Sequence, residues 1–281
     1  MRILLTGRTG QVGAELEQTL PALGEVIATD RSALDLASAD QIRRAVREAK
    51  PDVIVNAAAY TAVDKAESEP ELAMRINGEA PGILAEEAKQ LDALLLHFST
   101  DYVFDGTKAT PYVERDLPNP LNTYGRSKLA GEGAVVASGC RHLILRTGWV
   151  YSMRGQNFLM TILRLARERP ALRVVSDQVG SPTAARDLAA GCSQLLRRPL
   201  EPGIFHMTAA GTTSWHGFAE AIVRNAQLRT PVTPIGSHEY ATVARRPRNS
   251  VLNCAKLKAA YGIELPLWSR TLAEMMADGM R

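Results

Sequence analysis

The chain has 281 residues, 46% hydrophobic and 22% charged, enough apolar material to bury a full core in one large or two modest domains. Its 33 Lys and Arg stand against 30 Asp and Glu, and a formal charge of +3 scattered along the sequence excludes a polybasic nucleic-acid binder. Three widely spaced cysteines, Cys140, Cys192 and Cys254, form no Cys-x-x-Cys pair, so free thiols in a reducing compartment are expected rather than a disulfide scaffold.

Met1-Arg2-Ile3-Leu4-Leu5 runs straight into a glycine turn. No signal-like stretch opens the chain and no later run of about 18 apolar residues follows, so a cytoplasmic protein without membrane association is expected. Residues 3–5 read as a strand, the glycines after them as a turn, and residues 13–20 as a helix stopped by Pro21. A second strand covers 26–29. Ser38 with Gln41 three residues on has the pattern of a capping box and opens a helix through Lys50. Further strands are expected at 52–56, 93–98 and 142–145, separated by helical stretches. Such alternation predicts an α/β fold, a Rossmann-type doubly wound parallel sheet. Beyond Trp149 the alternation loosens, with Pro-containing loops at 180–183 and 245–249 and a helix opening at Ser214. The expected division is a dinucleotide-binding domain of residues 1–150 plus roughly 182–207. A smaller C-terminal substrate-binding domain of residues 151–181 and 208–281 would cover the sheet's carboxyl edge, where open α/β sheets bind ligands.

Three groups of residues carry chemistry. In Thr6-Gly7-Arg8-Thr9-Gly10-Gln11-Val12-Gly13, small residues between strand and helix let the backbone turn tightly, approach a pyrophosphate and pack the helix on the sheet. Asp30, at the end of the second strand about 20 residues on, can accept hydrogen bonds from an adenosine ribose. Arg8 and Arg31 suit a 2′-phosphate instead, so NADPH and NADH both remain open. Asn56-Ala57-Ala58-Ala59 ends the third strand with small residues that would admit a cofactor near the backbone, although packing alone also accounts for them.

Tyr124 and Lys128 lie four residues apart, on one face of a helix. A phenol titrating near ~10 shuttles protons poorly at neutral pH, and a neighbouring ammonium favours its phenolate, so Lys128 is the expected tuner of Tyr124. In ketone reduction Tyr124 would protonate the developing alkoxide. On spacing alone, an exposed helical Tyr/Lys pair is the better explanation, and the residues upstream reverse that balance. Thr100, with Ser99 as its understudy, ends a strand beside them, where a hydroxyl could hydrogen-bond a substrate oxygen.

Together with Val55 to Glu67, Ser99 to Gly106, Arg146-Thr147-Gly148-Trp149-Val150-Tyr151, Asp177 to Thr183 and Arg245 to Ser250, these residues make the chain resemble the extended short-chain dehydrogenase/reductases. Within them it resembles the dTDP-4-dehydrorhamnose reductase family, over nearly its whole length. The resemblance implies Thr100, Tyr124 and Lys128 as catalytic group and a dTDP-linked 4-keto-6-deoxy sugar as substrate. It implies dinucleotide contacts from Gly7, Gly10, Gln11, Val12, Gly13, Asp30, Ala57, Ala58, Ala59, Tyr60, Thr61, Tyr124 and Lys128. Sugar-nucleotide contacts would come from Thr100, Asp101, Tyr124, Trp149 and Arg246, with Arg246 on the diphosphate. Packing alone is the alternative for Trp149, and a solvated charge pair for Arg245 and Arg246. A homodimer is among the assemblies the resemblance allows. Some members bridge subunits with Mg²⁺; Glu15 stands at a matching position, but Arg186 replaces a carboxylate, so no metal is expected. Two other readings stay open at this point: a sugar-nucleotide epimerase or dehydratase of the same superfamily, and a non-catalytic binding subunit like the regulatory partner of methionine adenosyltransferase.

Overall fold

The computed structural model describes residues 1–279. Five strands follow one another as β1 (Arg2–Thr6), β2 (Glu25–Thr29), β3 (Val53–Asn56), β4 (Leu94–Thr100) and β5 (Arg141–Thr147). Short strands come next: β6 (Val150–Tyr151), β7 (Leu172–Val175), β8 (Val179–Gly180) and β9 (Thr183–Ala184), then β10 (Gly203–His206). The helices are α1 (Gln11–Thr19), α2 (Ala39–Ala49), α3 (Val63–Ala66), α4 (Pro70–Met74), α5 (Ala80–Gln90), α6 (Thr123–Ser138), α7 (Phe158–Glu168), α8 (Ala185–Leu195), α9 (Trp215–Asn225), α10 (Ala255–Tyr261) and α11 (Trp268–Gly279). None of them is long and apolar enough to cross a membrane, among the described residues.

Strands β1 to β5 and β10 form one parallel sheet in the order β10-β5-β4-β3-β1-β2. β3 and β4 are buried along their whole length, as expected for parallel strands covered on both faces. Alternate residues serve the two cores. Ile3, Leu5, Val53, Val55, Leu94 and Leu96 pack with α1 and α8 on one side. Leu4, Ile54 and Leu95 pack with α2, α5 and α6 on the other. The chain order reverses at β1, so a crevice opens past the carboxyl ends of β1 and β3.

A third core, built from α7, α9 and α11 around Leu159, Phe218 and Leu272, belongs to the later part of the chain. Between its segments the chain returns to the sheet: α8 lies on the α1 side, and β10 pairs with β5 at the edge. The two Pro-containing loops are held by short pairings, β8 with Thr213–Ser214 and Val179 with Asn249.

The first helix starts at Gln11, two residues before its periodicity predicts, because Gly10 takes the extended N-cap conformation. At α2 the Ser38 hydroxyl accepts from the Gln41 amide at 3.4 Å, but the Gln41 side chain accepts from the Asp35 backbone at 3.0 Å instead of closing the capping box. Ser214 caps α9 as expected, accepting from Gly217 N at 3.0 Å.

Helix α6 is anchored from below. Glu132, on its buried face, accepts from Arg146 of β5 through Nε at 2.9 Å and Nη2 at 2.6 Å, and from the Ser99 hydroxyl of β4. Arg146 lies over the Phe104 ring, 5.1 Å from its centroid. Both charges are 3% exposed, so removing one leaves the other unpaired in a medium that solvates it poorly. Glu132→Ala is expected to cost about 3 to 5 kcal/mol in urea unfolding; a loss below about 1 kcal/mol would show that α6 does not depend on this pair.

Candidate active site at the carboxyl edge of the sheet

The turn after β1 is shaped by what a side chain would strike. Gly7 has φ +76°, and a Cβ there would come within 2.8 Å of the Ala58 backbone; at Gly13 it would lie 2.0 Å from the Gly7 carbonyl oxygen. Strand, turn and α1 are therefore pressed together and against the end of β3, as a backbone cradle for a pyrophosphate requires. Gly10 brings no side chain to cap α1, so the first amides of the helix, with the positive end of its dipole, are left for an anion. The Gln11 side chain is used elsewhere: its Oε1 accepts from Asn157 Nδ2 at 2.8 Å and Ser152 Oγ at 3.1 Å, tying the turn to the segment after β6. Any contribution of Gln11 to a dinucleotide is thus through its backbone. Val12, in the first turn of α1, is partly buried against the core.

Asp30 follows β2 immediately. Its Oδ1 accepts from Ser32 Oγ at 2.6 Å, Ser32 N at 2.9 Å and Ala33 N at 3.3 Å. The Ser32 hydroxyl does most to hold its carboxyl below the usual range, so it is ionised and an acceptor. The two arginines that argued for a 2′-phosphate are engaged: Arg8 with Glu17 at 2.8 Å, and Arg31, more loosely, with Asp35 at 3.9 Å.

Ala57, Ala58 and Ala59 continue β3 as a half-buried strip facing the turn. Asn77 fixes the backbone beyond them, accepting from Tyr60 N at 2.8 Å and donating to Tyr60 O at 2.9 Å. The Tyr60 hydroxyl donates to Glu69 at 2.8 Å, and Thr61 is exposed.

Thr100 ends β4 and Tyr124 is the second residue of α6, two residues after the Asn122 cap, whose Oδ1 accepts from Gly125 N at 2.8 Å. Gly125 lets the helix close on the Asp101–Val103 turn: a Cβ there would sit 2.3 Å from Tyr102 O. The Tyr102 and Tyr124 rings meet edge to face at 6.1 Å. Burial pushes the Tyr124 phenol up to about 12, and a hydrogen bond with Thr100 opposes the rise. The net shift is upward: burial outweighs the pull towards phenolate expected of Lys128. The Lys128 Nζ donates to Phe98 O at 2.6 Å and faces His97 Nε2 at 3.4 Å; burial lowers its own pKa to about 8. Tyr124 is therefore protonated at neutral pH, the form in which a phenol donates a proton.

Asp101 is buried and accepts from Thr100 Oγ1 at 3.1 Å, while its Oδ2 has no partner at normal hydrogen-bond geometry among the described residues; burial raises its carboxyl to about 7, against the opposing pull of the Ser250 and Thr100 hydroxyls. Trp149 sits at φ +52°, a backbone region that tryptophan enters only when its surroundings hold it. Here the Trp215 ring stacks on it at 3.4 Å and 1°, and its Nε1 donates to Ser250 Oγ at 3.1 Å. Arg246 makes a two-pronged pair with Asp64, at 2.7 and 3.1 Å, that joins α3 to the 245–249 loop. Arg245 is exposed. Glu15 is half-buried on α1, whereas Arg186 reaches Glu274 of α11 at 2.9 Å. No three His, Cys, Asp or Glu side chains converge on one point among the described residues.

The chain thus gathers Thr100, Asp101, Tyr124 and Lys128 at the sheet edge, with the glycine turn and Asp30 at the neighbouring strand ends. Sequence reasoning gave no role to Trp215, Ser250, Asn77 or His97. Ser250 was read only as the end of the 245–250 segment, and His97 left a trace as the one polar residue in the buried run 94–98; Trp215 and Asn77 have no motif.

Residues 1–280 match the family described as RmlD substrate binding domain. The chain is 49% identical to the dTDP-4-dehydrorhamnose reductase of Burkholderia thailandensis, over 99% of each chain. It is 43% identical to that of Salmonella typhimurium, over 99% of this chain and 98% of the other. Among solved structures, the dTDP-4-dehydrorhamnose reductase of Bacillus anthracis in complex with NADP superposes with a TM-score of 0.95 at 35% identity, over 99% of both chains. A UDP-glucose 4-epimerase of Thermus thermophilus, at 21% identity and TM-score 0.80, shares the fold.

Asp101 gives the site a pH signature. Its folded carboxyl titrates near 7 against a usual 3.8, so the folded chain keeps a proton that the unfolded chain has lost, and this group subtracts stability as pH rises through that window. Asp101→Asn should therefore raise the thermal midpoint clearly at pH 8, by an amount corresponding to roughly 1–3 kcal/mol, with the gain fading towards pH 4. A gain of equal size at both pH values would assign Asp101 an ordinary carboxyl.

Proposed function

The chain belongs to the RmlD substrate binding domain family, and from that premise we propose that it reduces the C4 ketone of dTDP-4-dehydro-L-rhamnose, giving dTDP-L-rhamnose, with NADPH or NADH as reductant. One observation of the structure supports this most: the protonated Tyr124 phenol and the Thr100 hydroxyl meet beside a buried lysine, next to a glycine cradle that a Cβ would fill.

Bound there, the dinucleotide supplies the hydride. Its pyrophosphate would lie against the backbone of Gly7 and of Gly10 to Gly13, its ribose against Asp30, and its nicotinamide half along Ala57 to Thr61 towards Tyr124 and Lys128. Thr100 orients the ketone oxygen by a hydrogen bond. Tyr124 delivers its phenolic proton to that oxygen as negative charge develops on it, and the Lys128 ammonium stabilises the phenolate left behind. Asp101 and Trp149 hold the sugar. Arg246 turns from Asp64 to the diphosphate, where its planar fork suits two oxygens at once.

The same reading divides the chain into a dinucleotide-binding domain, residues 1–150 with 182–207, and a sugar-nucleotide domain, residues 151–181 with 208–281. It places the protein in the cytoplasm, where the three free cysteines remain reduced. A homodimer is the assembly to test, by light scattering.

The decisive assay mixes the keto-sugar nucleotide with NADPH or NADH and a substoichiometric amount of the protein. Multiple turnovers, seen as loss of nicotinamide absorbance, are expected with at least one of the two; none with either would sink the reductase reading. Tyr124→Phe should keep dinucleotide affinity within about twofold while lowering kcat roughly a hundredfold or more, the scale of a lost general acid. An unchanged rate would remove Tyr124 from the mechanism. Arg246→Ala should raise KM for the sugar nucleotide about tenfold with kcat little changed, the pattern of lost ground-state binding; an unaltered KM would leave Arg246 as a loop tie only.

A further inference from the structure

We propose that His97 is a positioning residue for Lys128: its Nε2 accepts a hydrogen bond from the lysine ammonium, and Asn56 and Thr6 extend that contact to the start of the glycine turn. The inference rests on the reading of Lys128 as a group of the reductase site.

The geometry is a row across the sheet. In the parallel register Thr6 of β1 stands beside Asn56 of β3, and Asn56 beside His97 of β4. Their side chains join in the same order: Thr6 Oγ1 to Asn56 Oδ1 at 2.7 Å, Asn56 Nδ2 to His97 Nδ1 at 3.0 Å, and His97 Nε2 to Lys128 Nζ at 3.4 Å. All four residues are 2% exposed or less. At the far end Thr6 Oγ1 also accepts from Ala58 N at 3.4 Å, and Ala58 is the residue on which Gly7 presses. A buried chain of polar groups thus links the proton-handling helix to the turn that would hold the dinucleotide. A polar ring amid three leucines and a phenylalanine costs burial free energy unless both nitrogens are used, and here both have partners.

Charge decides the direction of the chain. Burial and the Lys128 charge both keep His97 neutral, so one ring nitrogen donates and the other accepts. An ammonium can only donate, so Nε2 must be bare and Nδ1 must carry the proton. Asn56 then presents its oxygen to Nδ1–H and its amide nitrogen to Thr6, a half-turn of the amide that leaves the heavy-atom separations as they are. With Lys128 deprotonated, the opposite polarity applies, with Nε2–H donating to the amine. Around Lys128, Glu132 on its own helix favours the charged form, but its two oxygens are taken up by Arg146 of β5 and by Ser99 of β4. Tyr124, one turn earlier on α6, is neutral, and from β4 come the Phe98 carbonyl and His97. His97 is thus the side chain on β4 that helps hold the ammonium charged and aimed.

The first test needs no cofactor: ¹⁵N NMR of the full chain labelled at histidine, from pH 6 to 10. At pH 7 the His97 signals should be those of the Nδ1–H tautomer with Nε2 as acceptor, shifting with a midpoint near 8 as Lys128 loses its proton, and the step should be absent in Lys128→Met. An Nε2–H tautomer at pH 7, or a resonance insensitive to pH over that range, overturns the inference whether or not the chain turns over substrate. The second test reads the alkaline limb of kcat/KM. His97→Leu should move it down by about one pH unit, the size of one lost hydrogen bond to a charged group, and His97→Gln, whose amide oxygen can stand near Nε2, should restore most of the shift. A limb that stays in place in His97→Leu gives His97 a packing role only. Absence of turnover in the unmodified protein counts against the reductase reading alone, since the NMR result stands apart from it.

Discussion

The buried pair of Glu132 and Arg146 is the constraint on which the site depends. α6 carries Tyr124 and Lys128, yet the helix has no continuous apolar face, with Ser127, Lys128 and Glu132 among its buried residues. What holds it at a set height over the sheet is a carboxylate gripped by a guanidinium from β5 and a hydroxyl from β4. Such a pair is costly to bury and costly to break, so it is a poor source of stability but a strict specifier of position. With α6 fixed in this way, Tyr124 comes to Thr100, and Lys128 to the Phe98 carbonyl and His97.

Exclusion of water then sets the chemistry. The same desolvation favours the neutral form of three groups: it moves the Tyr124 phenol up, so that it is protonated; the Lys128 ammonium down, but still charged at neutral pH; and the Asp101 carboxyl up, to where it can donate as well as accept. The effect of Lys128 on Tyr124, drawn from spacing alone, assumed an ammonium directed at the phenol. In the fold that ammonium is turned towards the backbone of β4.

Aromatic and ion-pair contacts tie the later part of the chain to the segments that follow β3 and β5. Trp149 is held in an unfavourable backbone conformation by the Trp215 stack and Ser250, which presets a flat apolar surface. Arg246 keeps its fork occupied by Asp64. The Gln11 side chain ties the glycine turn to the start of this region.

Much of the fold was legible in the sequence because its signals are local. Apolar runs, glycine spacing and the caps at Ser38 and Ser214 act over a few residues, and the alternation of strand with helix leaves few topologies. The glycine turn, Asp30, Thr100 and the Tyr124/Lys128 spacing could be read for the same reason. The short pairings that stiffen the 180–183 and 245–249 loops, the Trp149–Trp215 stack, the diversion of Arg8, Arg31 and Arg246 into ion pairs, and the row from Thr6 to Lys128 could not. Each joins residues that are remote in sequence or depends on cross-strand register. Sequence by itself determined which residues had chemistry to offer and roughly where along the sheet they would emerge. Only the tertiary structure decided their protonation and direction, because both follow from burial and from partners that lie beyond the reach of any local pattern.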